Sequence, residues 1–504
     1  MNENYIIAHD LGTSGTKAAL IDLTGKVIAS SESRYSVFYG ADGGAEQDPE
    51  DWWQALVKTT RDILAKTKID AKQIIGMSMD AQMAGTIPVD KNGKALRRAL
   101  IWLDARAEKE AEILIERTGL PFITGKAPSA KILWIKRNEP EIFAKTYKML
   151  DCKDYIQARM TGEYGTDYSC ALALTYFNPF TMQWWPEVLE AMEINQELLP
   201  NLMPSTQEVG RLTPQAAQEF GLVPGIPVIS GGGDVPCAVI GSGAISPGRT
   251  HIYLGTSAWI VTISKDFLMD IEGIFCGLGC NPETFGVGGE MDNAGGCIKW
   301  FQANLIGKED EEAAQKAGVN ILKYMDEKAA EIQPGAENLL FLPWVWGERA
   351  PVDDDNVRGG FAMLGLNHGK WHMMRAILEG VGYHLRWIFD TIEKAGITQT
   401  EANVIGGGAV SSIWLQILAD TTGRKLYQVE GPLDACARGA AMTAAVGLGI
   451  YKDFYEVEKI IRLTGAEFTP NQNLKPLYDQ AYANFRSLYQ PFSDIGNQRI
   501  PLIS

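Results

Sequence analysis

Apolar and polar positions in the first thirty residues alternate as three short strands would require. Apolar runs at 5–8, 18–21 and 27–29 are separated by turn residues. The first turn reads Asp10-Leu11-Gly12-Thr13-Ser14-Gly15-Thr16-Lys17, and a second lies around Gly25. The pattern then becomes helical. Asp48-Pro49-Glu50-Asp51 is a helix start, with Asp as N-cap and Pro at the first helical position, and a helix over 52–66 would bury Trp53, Leu56, Val57, Ile63 and Leu64. Residues 74–79 predict a buried strand that ends at Asp80-Ala81-Gln82-Met83-Ala84-Gly85. Residues 86–89 predict another, and 99–103 a third, which delivers Asp104 and Arg106 to its end. From 118 to 200 the pattern is mostly helical and places little chemistry. A strand at 228–230 then runs into Gly231-Gly232-Gly233-Asp234 and a short helix of small residues.

Residues 243–248 read as a junction, after which the opening pattern starts again. An apolar run at 251–254 leads into Gly255-Thr256-Ser257, a repeat of the core of the first turn. Asp292-Asn293-Ala294-Gly295-Gly296 opens a helix through Lys299 and Trp300. Met374, Ile377, Leu378, Val381, Leu385 and Ile388 recur at helical spacing, so 371–394 is a long helix whose stripe is core. A strand at 404–405 enters a second glycine triplet, Gly406-Gly407-Gly408-Ala409, and 434–447 is a helix of small residues. Strands alternating with helices predict an α/β protein in two domains, 1–245 and 246–504.

Four of these stretches carry candidate chemistry. Glycines in a tight turn let backbone N–H groups approach a phosphate, hydroxyls add donors, and Asp10 can hold a hydrated Mg²⁺. Taken alone, such a turn is equally an ordinary hairpin. Its recurrence at 254–257 points instead to one nucleotide gripped by two related domains. The spacing is not that of a Walker A loop. Asp234 follows three glycines at a helix N-terminus, which stabilises an anion and suits a base; the plainer reading is an N-cap. Asp104 and Arg106 at a strand end suit a ligand, or a capped helix with a solvated arginine.

Composition narrows the partners. The 504 residues are 46% hydrophobic and 21% charged, as in ordinary globular proteins, and the net charge of −16 disfavours nucleic acid or an anionic membrane as main partner. No apolar run reaches the ~18 residues of a membrane span and the first residues lack a basic leader, so a cytoplasmic protein is expected. Seven scattered cysteines, odd in number, fit reduced thiols. Cys276 and Cys280 have neither a second pair nor a nearby His to make a zinc site.

Taken together, these stretches resemble the FGGY carbohydrate kinases and, within them, the xylulokinase-like branch. The resemblance extends from Asp10 through Gln47-Asp48-Pro49 with Trp52-Trp53, Lys131-Ile132-Leu133-Trp134, Gly231 to Asp234, Leu254 to Ser257, Gly347-Glu348-Arg349 and Leu378 to Tyr383, to Gly439-Ala440-Ala441. It implies two actin-like (ribonuclease H-like) α/β domains with a cleft between them, and transfer of phosphate from ATP to a sugar or polyol hydroxyl with Mg²⁺. By position it makes Asp234 the catalytic base and Asp10 the magnesium-associated carboxylate. Gln82, Met83, Asp104 and Asp234 would line the sugar. Thr13, Ser14, Thr16, Gly255, Thr256, Gly295, Lys299, Gly408, Ala409 and Ser412 would meet the nucleotide. A homodimer is left open.

The chain departs from the branch where a histidine, an asparagine and another asparagine are customary. It has Ala84, Leu103 and Val235 there, which puts xylulose in question against another ketose, a deoxy sugar or a polyol. Lys126 and Asp434 also depart from the family pattern. An actin-like ATP-driven chaperone or assembly protein would share the hairpins but has no need of Gly231 to Asp234.

Overall fold

The computed structural model describes residues 4–268 and 273–498. The chain divides into two compact units, Met1–Gly243 with Gly277–Thr284 and Asp434–Ile461, and Ala244–Cys276 with Phe285–Leu433 and Arg462–Ser504. The sequence predicts one crossing, at 245/246. The chain crosses at Gly243/Ala244 and returns to the first unit twice.

The reason for the second return is a helix contact. Helix Ala435–Gly447 packs on helix Asp234–Ser242 with almost no space between backbones. A Cβ on Gly241 would stand 1.8 Å from the Ala435 carbonyl oxygen, and one on Gly439 1.8 Å from that of Cys237. Arg438 closes the contact, donating from Nε and Nη2 to the Gly241 carbonyl at 3.0 and 2.8 Å. The run of small residues is therefore the surface that lets the late helix belong to the first unit.

The sheet of the first unit runs Glu208–Arg211, Pro227–Ile229, Ile74–Ala81, Tyr5–Leu11, Gly15–Asp22, Val27–Arg34. The last three form an antiparallel meander, Ile74–Ala81 and Pro227–Ile229 add in parallel, and Glu208–Arg211 closes the edge antiparallel. The second unit repeats this plan. Phe285–Met291, Ala258–Ser264 and Thr250–Leu254 make the meander, Glu401–Ile405 and Lys425–Val429 add in parallel, and Leu463–Phe468 is antiparallel at the edge. The duplicated hairpin read from the sequence is thus one part of a duplicated sheet.

Helix Pro49–Thr67 begins as expected, with Asp48 accepting from the Glu50 amide, and it buries Trp52, Trp53, Leu56 and Ile63 against the first sheet. Helix Lys370–Lys394 runs through the second core on Met374, Ile377, Leu378, Val381, Leu385 and Ile388. Two expectations change. The strand predicted over 99–103 is only Ala99–Leu100, because the chain turns to enclose Asp104. The region 118–200 is broken by short strands at Lys148–Leu150, Gly165–Asp167, Phe177–Asn178 and Gln183–Trp184. No described helix is long and apolar enough to cross a membrane.

Candidate active site

Three neighbouring strands of the first sheet end at one level. Asp10 pairs in register with Asp80, and Asp80 pairs with Gly232, so Asp10, Asp80 and the glycine strand leading into Asp234 lie side by side at the carboxyl ends. This is where open α/β sheets gather ligands. Within the triplet that follows the strand expected at 228–230, Gly232–Gly233 form a short strand of their own, and Asp234 is the first residue of the following helix. Glycine is required here by contact. Gly231 has φ +68 and its Cβ would lie 2.0 Å from the Met79 carbonyl, while a Cβ on Gly233 would meet the Met83 sulfur at 2.2 Å. Met83 therefore lies against the residue that precedes Asp234.

Asp234 is half-buried, and its Oδ1 accepts from the Val235 amide at 2.8 Å. Behind it a buried polar chain fixes the strand. Lys153, ion-paired to Asp167 at 2.9 Å, donates to the Ser230 carbonyl and hydroxyl at 3.2 and 3.1 Å, and Gln157 donates to the Ser230 carbonyl at 2.7 Å. Ser169, bonded to Asp167, accepts from the Gly233 amide at 3.3 Å. A buried ion pair is a poor source of stability but a good source of fixed geometry when its remaining bonds are satisfied.

Asp10 is half-buried and Asp80 wholly so. Burial raises the Asp10 carboxyl above the ordinary carboxylate range, although Lys17 opposes the shift. Burial raises Asp80 well above that range, and the charges of Asp10 and Asp234 add to it. Lys17 pairs with Asp434 at 3.7 Å. Asp80 was not among the residues singled out by the sequence, because only the strand register places it beside Asp10.

Gln82, Thr13 and Trp102 form a connected neutral set beside this edge. Thr13 Oγ1 donates to Gln82 Oε1 at 3.3 Å and accepts from the Trp102 indole at 2.8 Å; Gln82 donates in turn to Gln47 Oε1 at 2.7 Å. Asp104 is 0% exposed, and both its oxygens are taken, by the Arg106 guanidinium at 2.8–3.0 Å and by the Ala45 amide at 2.7 Å. Arg106 pairs also with Glu46 at 2.9 Å. Lys131, with burial pushing its amine down to about 8, donates to the Ala84 and Ile101 carbonyls. Thr16 donates to the Asp10 carbonyl at 2.9 Å, which fixes the hairpin, and Ser14 stands exposed at its tip.

In the second unit, the hairpin Gly255-Thr256-Ser257 is held by the start of helix Gly295–Leu305. The Gly295 amide donates to the Gly255 carbonyl at 3.0 Å, the Gly296 amide to that of Thr256 at 2.9 Å, and Lys299 Nζ to Thr256 Oγ1 at 2.9 Å. Gly408 lies beside Trp414, which a Cβ would meet at 2.5 Å. Ala409 is buried and its carbonyl accepts from Gln428 at 2.6 Å. Ser412 is exposed at the start of helix Ser412–Thr422, whose cap is Ser411. Gly255, Gly295, Thr256 and Lys299 are thus brought together, and Gly408, Ala409 and Ser412 form a second group within the same unit.

The cluster of Asp10, Asp80 and Cys436 is the one set of three possible metal ligands among the described residues. Cys276 and Cys280 do not make another; the Cys280 sulfur lies 3.8 Å from Cys237.

Comparison with known proteins identifies the family. The FGGY family of carbohydrate kinases matches the chain through its N-terminal domain over residues 5–241 and its C-terminal domain over 251–448. A xylulose kinase of Bacillus subtilis (strain 168) is 32% identical over 97% of this chain and 98% of its own length. A gluconokinase of the same organism is 31% identical over 92% of this chain and 91% of its own. The crystal structure of gluconate kinase from Lactobacillus acidophilus superposes with a TM-score of 0.85 at 26% identity, covering 97% of this chain and 98% of that one. The two sheet-based units have the actin-like (ribonuclease H-like) fold, and the chain belongs to the FGGY family of carbohydrate kinases.

Proposed function

We propose that the chain transfers the γ-phosphoryl group of ATP to a hydroxyl of a small neutral ketose or polyol, with a ketopentose such as xylulose as the first candidate. The observation that carries this reading is the placement of Asp10 and Asp80 at one level of adjacent strands, with Asp234 opening the helix that follows the neighbouring glycine strand, beside a neutral Gln82–Thr13–Trp102 set. Asp234 accepts the hydroxyl proton as the oxygen attacks phosphorus in line. Gln82 and Met83 line the sugar, and Asp104, locked by Arg106 and Ala45, shapes that wall. Asp10, an oxygen donor only partly buried, fits Mg²⁺, which when bound supplies positive charge against the phosphates. The hairpins at Thr13–Thr16 and Gly255–Thr256, with Gly295, Lys299, Gly408, Ala409 and Ser412, are assigned to the nucleotide.

Charge favours a neutral acceptor over an aldonate. Arg106 is bound to Asp104 and Glu46, Lys17 to Asp434, and Lys131 to two carbonyls, so these three cations are already engaged. A buried carboxylate without a counter-charge costs several kcal/mol. Ala84 and Val235 add no side-chain partner for a sugar hydroxyl, and Leu103 packs on the core. One unpartnered hydroxyl costs about 1–3 kcal/mol, so within the ketose and polyol class D-xylulose itself is expected to be accepted weakly or outperformed by another small ketose, deoxy sugar or polyol. The test is ADP release over a panel of neutral sugars and polyols with D-gluconate alongside. The best neutral compound should exceed gluconate by about tenfold or more in kcat/KM. A preference for gluconate overturns the charge argument, and ADP release indifferent to every sugar overturns the kinase reading in favour of an ATP-driven assembly role.

A further inference from the structure

We propose that Asp10, Asp80 and Cys436 form a site for a borderline-soft divalent cation, of the zinc and cobalt type, that fills without nucleotide or sugar. One ligand atom from each of the three residues lies within 4.8 Å of the others. Bond lengths near 2.0–2.3 Å set ligand atoms of a tetrahedral zinc roughly 3–4 Å apart, so small side-chain rotations close the set.

Asp80 is the second and separate observation. It is 0% exposed, and its oxygens meet no hydrogen-bonding group other than the facing Asp10 carboxyl. Two facing buried carboxyls need either a shared proton or a cation, and a cation displaces that proton while engaging both groups. The backbone already fixes this arrangement. Asp10 and Asp80 are in-register residues of parallel strands, and Cys436 stands in the first turn of helix Ala435–Gly447, which is held by the Gly241–Gly439 contact.

The donor set decides the metal. Mg²⁺ takes oxygen ligands, keeps several waters and is usually held by carboxylates together with substrate phosphates. A thiolate selects a softer ion, and Cys436 is 6% exposed, away from bulk water. Binding forms one metal–sulfur and at least two metal–oxygen bonds, and the thiol proton and any proton on the carboxyls pass to solvent. Because Asp10 is shared, the bound ion would occupy the carboxylate that the proposed kinase reaction gives to Mg²⁺. The site therefore rests on that reading only for its consequence, and not for its existence.

The test is titration of the nucleotide-free full chain with Co²⁺, read by absorption. A single equivalent should bind with a thiolate-to-cobalt charge-transfer band and be displaced by Zn²⁺. Cys436→Ser should lose the band. Asp80→Asn, a near-isosteric change, should weaken binding by at least about tenfold. Cys280→Ser, whose sulfur lies by Cys237, should keep both band and affinity. Thermal melting of each variant separates loss of the site from loss of the fold. Absence of stoichiometric binding without ATP overturns the proposal, as does a band that survives Cys436→Ser or an affinity unchanged by Asp80→Asn. Kinase activity is measured separately: cobalt binding with no sugar-dependent ADP release keeps the site and removes the kinase, and the opposite result does the reverse.

Discussion

Asp234 is the residue on which the proposed chemistry depends most directly. Asp234→Asn keeps volume and the acceptor that receives the Val235 amide, yet removes basicity. The expected outcome is a loss of ~10²–10⁴ in kcat with nucleotide binding retained. Near-normal turnover would reduce Asp234 to a helix-start residue. Thr13 is a subtler case. Its hydroxyl is bonded to Gln82 and Trp102, but its hairpin is assigned to the nucleotide, so Thr13→Val should raise KM for ATP or lower turnover, with little change in KM for the sugar. A change confined to the sugar would overturn the assignment of that hairpin to the phosphates.

Residue by residue, the legible part was local. Asp10 and Asp234 stand out as candidates through adjacent glycines and hydroxyls, features of sequence distance under ten. Asp80 did not, because its neighbour is seventy positions away and only strand register joins them. The cage around Asp104 was equally hidden. A carboxylate two residues before an arginine reads as a ligand or a cap, and nothing local shows that Ala45 and Glu46 complete its shell.

Among elements, periodicity found the long helices and the two hairpins because their apolar stripes are read within one turn. It overran the strand at 99–103, where the backbone leaves the sheet to cover Asp104, and it did not reveal the strand Gly232–Gly233, whose pairing needs Asp80 and Ala81 opposite. The small-residue helix was seen, but not its partner. That contact carries an expectation of its own. In Gly439→Ala the new methyl would meet the Cys237 carbonyl, a backbone atom of the helix that starts at Asp234. Overpacking of this kind costs typically 1–3 kcal/mol, and here no flexible side chain can yield. The melting temperature should drop and kcat should fall with it, since the displaced helix carries Asp234. A variant as stable and active as the parent would mean the two helices separate without consequence.

At the scale of the molecule, buried ionisable groups set how stability follows pH, and they pull in opposite directions. Burial pushes His9 and His384 down to about 4 and His251 to about 3. His251 accepts from the Trp259 indole and His384 from that of Trp344, so each must stay neutral on one nitrogen. Below the ordinary histidine value the unfolded chain takes up protons that the folded one refuses, so stability falls as pH drops from about 6.5 toward 4. Buried Asp151 and Asp154 act the other way. Burial raises both carboxyls, so above about pH 4 the folded chain holds protons that the unfolded chain has released, and stability falls as pH rises through that window. The two slopes offset each other between pH 4 and 6.5, and single substitutions should expose them. His251→Gln keeps an acceptor for Trp259 and removes one acid-sensitive group, so its unfolding free energy from urea titrations should decline less than the parent's between pH 6.5 and 4, by up to a few kcal/mol. Asp154→Asn should make the acid-side decline steeper and raise stability at neutral pH relative to acid. Parallel profiles for parent and both variants would show that these buried groups titrate alike in folded and unfolded chains.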